Sequence, residues 1–274
     1  MTLELDHVGI GEEPGAPLPV VSAVAAPGRP GVLAVETEQA PVLASLVAGG
    51  RMQPDTGRLL LDGHEDPAAV RRSFALVDTP GVAEPFPVMT LKQIVREELA
   101  FAGQRPNREH VDTVLDELGL RDYVDTAVQR VPTVVRIRLL VELALLRDGV
   151  TGIVITSPER HGGAVEDWFQ VVRDVARRGV TVVLVTSKAA ATTVEHLLDT
   201  IDTHDGVETH DGVETHGGVE THGGVETHDD VATLATPQTE DPEDVARTDG
   251  TEPGLPAAPS VTEASATVPT EAQK

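Results

Sequence analysis

The chain has 274 residues and a formal net charge of −24, which argues against a DNA or RNA partner because phosphates would be repelled. It has no cysteine, so disulfides, thiolate metal sites and a cysteine nucleophile are excluded. Aromatic residues make up 2% against 40% hydrophobic; a core must be built from Val, Leu, Ile and Ala, which suits a buried parallel sheet flanked by helices.

In chain order, residues 2–8 alternate and predict an edge strand, with no basic or apolar leader pattern at the start. Residues 20–25 and 31–35 predict strands joined by a Pro-Gly turn. Residues 40–48 carry apolar side chains at helical spacing, 58–61 predict a short strand, and 73–77 a buried one followed by a Pro-rich loop through Pro87. Thr90 is placed to cap a helix to about residue 102. Asn107 is placed to cap another that ends at Gly119, and a third helix spans about 133–147. The pattern then alternates: strand 152–155, helix 164–178, strand 180–185, helix 191–198. Short links between them imply parallel strands. The longest apolar stretches are far shorter than the ~20 residues that span a bilayer, so a soluble cytoplasmic chain is expected.

After Asp199 the character changes. From Thr200 onward 17 acidic residues face only Arg247 and Lys274. A hexapeptide repeat places His204, His210, His216, His222 and His228 in register. Such a segment has too little apolar surface to offset an ordering cost of ~1–2 kcal/mol per residue. The expected organisation is therefore a folded domain over 1–199 and a disordered acidic tail over 200–274. In an extended chain the repeat histidines stand ~19–20 Å apart, so they are weak metal candidates rather than a preformed site.

The order of elements carries a resemblance. Ala48-Gly49-Gly50-Arg51-Met52-Gln53-Pro54-Asp55-Thr56-Gly57-Arg58-Leu59-Leu60-Leu61-Asp62-Gly63 is close to the phrase that follows the P-loop helix in ATP-binding cassettes of ABC transporters. Arg136-Ile137-Arg138-Leu139-Leu140-Val141-Glu142-Leu143-Ala144-Leu145-Leu146 resembles the helix after their signature motif, and Pro158 stands where they carry the Pro that follows the Walker B acids. The resemblance covers about three quarters of the chain. It implies a P-loop NTPase-like α/β fold: a mainly parallel core sheet, an N-terminal antiparallel strand region and a helical insert.

The same register implies lost chemistry. A working P-loop is G-x-x-x-x-G-K-[ST], with backbone N–H groups and Lys on the phosphates and a hydroxyl on Mg²⁺. Those places fall on Ala34, Gln39, Ala40 and Pro41. The Walker B Asp and catalytic Glu fall on Thr156 and Ser157, the signature on Val131-Pro132-Thr133-Val134-Val135, and the switch histidine on Ser187. No catalytic residue and no cofactor is therefore expected; ATP and Mg²⁺ enter only if the chain is a divergent but active ATPase. Glu159, two residues beyond the lost Glu, is a displaced-base candidate, against the plainer reading of an exposed carboxylate. Asp78-Thr79-Pro80-Gly81 matches the D-x-x-G element of GTPases, but no Gly-Lys-Ser accompanies it; a strand end turning through Pro-Gly suffices. Phe169 is expected in a core-facing stripe with Val165, Val172 and Val175, Trp168 at the edge of that stripe, and His64, His110 and His161 as isolated surface or capping residues.

The implied function is a non-hydrolysing ABC-type subunit, peripheral at the inner membrane face. Residues 77–103 would dock on a membrane permease or related protein, and an active cassette or a second copy is an expected partner. The alternatives are the divergent ATPase and an interaction or metal-buffering protein that acts through its tail.

Overall fold

The computed structural model describes residues 1–205 except 13, 37 and 38, with side chains described through residue 199. The elements in order are β1 (Leu3–Ile10), β2 (Leu18–Ala25), β3 (Gly31–Ala34), α1 (Ala40–Ala48), β4 (Thr56–Leu61), α2 (Pro67–Ser73), β5 (Phe74–Val77), α3 (Leu91–Phe101), α4 (Arg108–Glu117), α5 (Thr133–Leu145), β6 (Gly152–Thr156), α6 (Val165–Arg177), β7 (Thr181–Thr186) and α7 (Lys188–Asp205). The fold is α/β. An antiparallel sheet of order β2-β1-β4 accompanies a parallel sheet of order β3-β7-β6-β5.

Alternation along the parallel strands builds two cores. Ala75, Val77, Ile153, Ile155, Val182 and Leu184 pack with α3 to α7. Phe74, Leu76, Val154, Val183, Val185 and Leu33 pack with α1 and the antiparallel sheet. Each fully buried Leu or Phe is worth roughly 1.5–3 kcal/mol, and such side chains supply most of the core. Space is tight where the layers meet: a Cβ at Gly152 would lie 2.4 Å from the Phe74 ring.

The motif around residue 48 has a mechanical reading. Gly50 takes φ +65°, its N–H donates to Val47 O, and the Arg51 N–H donates to Leu46 O; this is a Schellman stop for α1. The Arg51 guanidinium then donates to Gly49 O and Phe74 O at 2.7 and 3.0 Å. Asp55 accepts from the Gly11 N–H at 2.8 Å, which ties the start of β4 to the end of β1. Asn107 caps α4 through the His110 N–H at 2.8 Å, and the Thr90 N–H donates to Gln93 Oε1 at 2.8 Å at the head of α3.

Four expectations need correction. β1 is the central strand of its sheet, because β4 pairs along its other side; alternation alone does not separate edge from centre. α2 was not foreseen, although Asp66 accepts from the Ala69 N–H and Pro67 opens the helix. α7 continues to Asp205 rather than stopping near 198. Trp168 is wholly buried beside Phe169, with ring centroids 6.4 Å apart at 87°, because the buried face of α6 is wider than one stripe. Residues 206–274, with most of the predicted tail, lie outside the described residues.

Candidate functional site

The four parallel strands end at Ala34, Thr186, Thr156 and Val77. In open α/β sheets the crevice beyond the carboxyl ends of the strands is the ordinary ligand position, and Ala34, Gln39 to Pro41, Thr156, Ser157 and Ser187 stand at or just beyond these ends, whereas residues 131–135 lead into and begin α5. Ala34 ends β3, and Gln39, Ala40 and Pro41 form the entry to α1, with Ala40 buried and Pro41 in the first turn. The chain thus makes the expected strand-to-helix passage. Pro41 has no N–H to offer there.

Thr156, the last residue of β6, is fully buried, as are Ser45 of α1 and Thr79 after β5. Thr156 Oγ1 lies 2.7 Å from Ser45 Oγ and 2.8 Å from Thr79 Oγ1. Ser45 donates to Pro41 O at 2.8 Å, so its one proton is committed and it accepts from Thr156. Thr79 then supplies the proton to Thr156. A continuous neutral hydroxyl chain crosses the sheet edge and closes on the backbone of α1.

Two strand ends turn sharply with non-glycine residues in the left-handed region. Asp78 has φ +58° and Ser157 φ +45°. Asp tolerates this conformation and Ser less so. The turn at Asp78 drives its carboxylate inward. Arg136 of α5 donates Nε to Oδ2 at 2.9 Å and Nη2 to Oδ1 at 2.6 Å. His161 Nε2 lies 2.8 Å from Oδ2, and Arg160 Nη2 lies 3.1 Å from Oδ1. Arg160 also donates to Glu84 at 3.0 Å, and Arg136 stands 3.6 Å from the same carboxylate. The Asp78 side chain is 0% exposed and that of Arg136 is 4%. Burial pushes the Asp78 carboxyl up; hydrogen bonds from His161 and Arg136, with the charges of Arg136 and Arg160, outweigh it and hold the pKa at about 2.

The facing ligand atoms of Asp78, Glu84 and His161 lie within 4.8 Å of one another. A divalent ion does not suit them. Two guanidinium charges already balance the two carboxylates, and Arg160 sits between them.

Glu159 is not a free base. It accepts the Thr186 hydroxyl at 2.8 Å and the Ser187 N–H at 2.7 Å. Ser187 in turn caps α7: its Oγ accepts from the Ala190 N–H at 3.3 Å and its carbonyl from the Ala191 N–H at 2.8 Å. Glu36 accepts from the Lys188 N–H at 2.6 Å. His64 and His110 make backbone bonds to Asp62 O and Arg105 O, as surface residues do; His161 is no isolated residue but a partner of Asp78. His204 falls in the last turn of α7 by its backbone, while His210, His216, His222 and His228 lie outside the described residues.

The magnesium nucleotide implied by the resemblance does not fit this edge. In the register of that resemblance the metal-holding carboxylate would fall on Thr156, a hydroxyl already bonded to Ser45 and Thr79. The lysine would fall on Ala40, which is wholly buried.

A second concavity, of about 310 Å³, lies between the loop after β5 and α3. Glu84, Glu97, Glu98 and Arg147 line it together with Val82, Phe86 and Phe101. Phe86 is 76% and Phe101 67% exposed, and Val82 and Val88 are exposed as well. Two of the chain's four Phe are thus in water, which is notable in a chain with so few aromatics.

No family model and no curated protein matches the chain. Among solved structures it is similar to an ATP-binding subunit of an ABC transporter, with 18% identity and TM-score 0.46 over 70% of this chain and 81% of that one. It is also similar to a Pyrococcus furiosus protein described as an ABC transporter ATP-binding protein, with 10% identity and TM-score 0.49 over 69% of this chain and 92% of that one. Among the described residues, no helix is long and apolar enough to cross a membrane.

Proposed function

We propose that the described domain is a non-hydrolysing subunit of the ABC type, peripheral at the inner membrane face, that docks on a membrane permease or related protein through residues 77–103. The observation that carries this is the buried Ser45–Thr156–Thr79 hydroxyl chain. It occupies the sheet edge where phosphoryl transfer needs a metal-holding carboxylate and a phosphate clamp. Removing one charge-stabilising group from such a site costs roughly 2.7–4 kcal/mol in barrier, and here the lysine, both carboxylates and the switch histidine are replaced together. With Glu159 committed to the cap of α7, no carboxylate of that strand end is poised to act as base.

What survives is the shape of a cassette and the exposed apolar rim of Val82, Phe86, Val88 and Phe101. Aromatic anchors around a concavity are what a docking helix uses. A second, active cassette would supply any ATPase work in such an assembly. Calorimetry of the full chain with ATP, with and without Mg²⁺, tests the reading: no saturable heat and no phosphate release are expected. Micromolar binding with turnover would establish the divergent ATPase instead. Sedimentation with native membranes, and its loss on protease-shaving their cytoplasmic face, tests the docking.

A further inference from the structure

A further concavity, of about 480 Å³, lies on the helical insert between α3, α4 and the single turn Arg121–Tyr123. Its lining reverses the sign of the chain. Lys92 and Arg96 are i and i+4 on α3 and share a face. Arg108 and Asp112 stand in the same relation on α4, and Arg121 and Asp125 close the remaining side. Four cations thus meet two carboxylates, in a chain of net charge −24.

The carboxylates do not exhaust these cations. Lys92 pairs with Asp125, and Arg121 donates at 2.6 Å to Asp116, which stands outside the lining. The Arg108 side chain is 91% exposed and comes no nearer to Asp112 than 3.7 Å, a surface contact that contributes little. Arg96 is exposed, and among the described residues its side chain has no ion pair. Two guanidinium groups, one on α3 and one on α4, therefore stay open to a ligand.

The lining also selects among anions. Guanidinium forks and an ammonium group hold phosphate oxygens through short, charge-assisted hydrogen bonds. A phosphate monoester carries about −1.5 to −2 at pH 7, which matches the excess of cations over carboxylates in the lining. The volume falls within the roughly 300–1,000 Å³ of small-molecule clefts. A protein segment fits less well: Val111 is buried, and no aromatic side chain lines the concavity to anchor one. A bilayer fits poorly too, because none of the exposed Val, Met and Phe side chains lies in this lining to insert.

We infer that this concavity binds the phosphate group of a small phosphorylated molecule, with Arg96 and Arg108 as its main ligands and Lys92 and Arg121 adding their remaining donors. The site is independent of the docking reading, since it shares no lining residue with the cleft beside the loop after β5. A ligand here ties α3 to α4 and stabilises the insert by mass action.

Nuclear magnetic resonance titration of the full chain with glycerol 3-phosphate, at constant ionic strength, tests it. Saturable amide shifts are expected at residues 92–96, 108–112 and 121–125, at millimolar concentration or below; inorganic phosphate should reproduce them, and glycerol with sodium chloride should not. Arg96→Glu should weaken binding about tenfold or more, with an unchanged melting temperature in the absence of ligand. Arg96→Lys should weaken it less, and Arg72→Glu, outside the lining, not at all. Shifts that rise without saturating, shifts matched by chloride, or an affinity indifferent to Arg96→Glu overturn the inference. So does a response confined to phosphatidylcholine vesicles containing phosphatidic acid, which would assign the site to a lipid headgroup, or to a hexaglutamate peptide, which would assign it to an acidic protein.

Discussion

The carboxyl edge of the parallel sheet and the cleft beside α3 are built to opposite rules. At the sheet edge polar groups are buried and turned on one another: Asp78 on two arginines and a histidine, Thr156 on Ser45 and Thr79, Glu159 on the cap of α7. At the cleft, the apolar side chains of Val82, Phe86 and Phe101 face water. A buried polar group must find partners within the protein or in a ligand, and the sheet edge has found them within. An exposed aromatic rim gains nothing until something covers it.

Breaking the sheet edge should have the largest effect. Arg136→Ala removes two of the hydrogen bonds to buried Asp78, leaving it Arg160 and His161, and should cost about 1.5–3 kcal/mol in urea unfolding. A neutral variant would contradict the assigned role of the pair.

The same pair makes a pH signature. The folded pKa of Asp78 lies below its unfolded value of about 3.8. Its contribution is therefore complete above pH ~4 and is lost as pH falls toward 2, with an amplitude of about 2 kcal/mol. Asp78→Asn should remove that part of the acid-denaturation curve, and an unchanged curve would contradict the assignment.

The hydroxyl chain is a smaller effect. Thr156→Val keeps the shape and removes the central hydroxyl, leaving Ser45 its bond to Pro41 O and Thr79 without an acceptor in the chain. The expected cost is ~1–2 kcal/mol. Smallest of all, Phe86→Ser and Phe101→Ser should change stability by no more than about 0.5 kcal/mol while abolishing sedimentation with native membranes. A large loss of stability there would mean the rim belongs to the core.

Much of the architecture was legible because periodicity reports burial. The strands of the parallel sheet read as apolar runs, and α3 and α4 announced themselves through Thr90 and Asn107. α2 escaped because seven residues carry little periodicity, and β1 was misplaced because pairing partners leave no mark on a strand's own alternation. At the site, Ala34, Gln39 to Pro41, Thr156, Ser157 and Ser187 stand at or just beyond the carboxyl ends of the parallel strands. The ion-pair cluster on Asp78 was not foreseen. The signal was present in Arg136, which falls on the buried stripe Thr133, Ile137, Leu140, Val141 and Ala144 of α5; a charge at such a position requires a buried counter-charge. Its partner, 58 residues away, is set by tertiary structure and has no local signature.

Titration of the isotopically labelled chain with Mg·ATP, read at the backbone amides from Val35 to Val42 and at Thr156, Ser157 and Ser187, tests the closed sheet edge most directly. The expected result is no saturable shift at millimolar nucleotide, with unchanged protection of the Ser45 and Thr156 hydroxyls. Saturable shifts converging on those amides, with the hydroxyl chain opened, would show that the edge still holds a triphosphate.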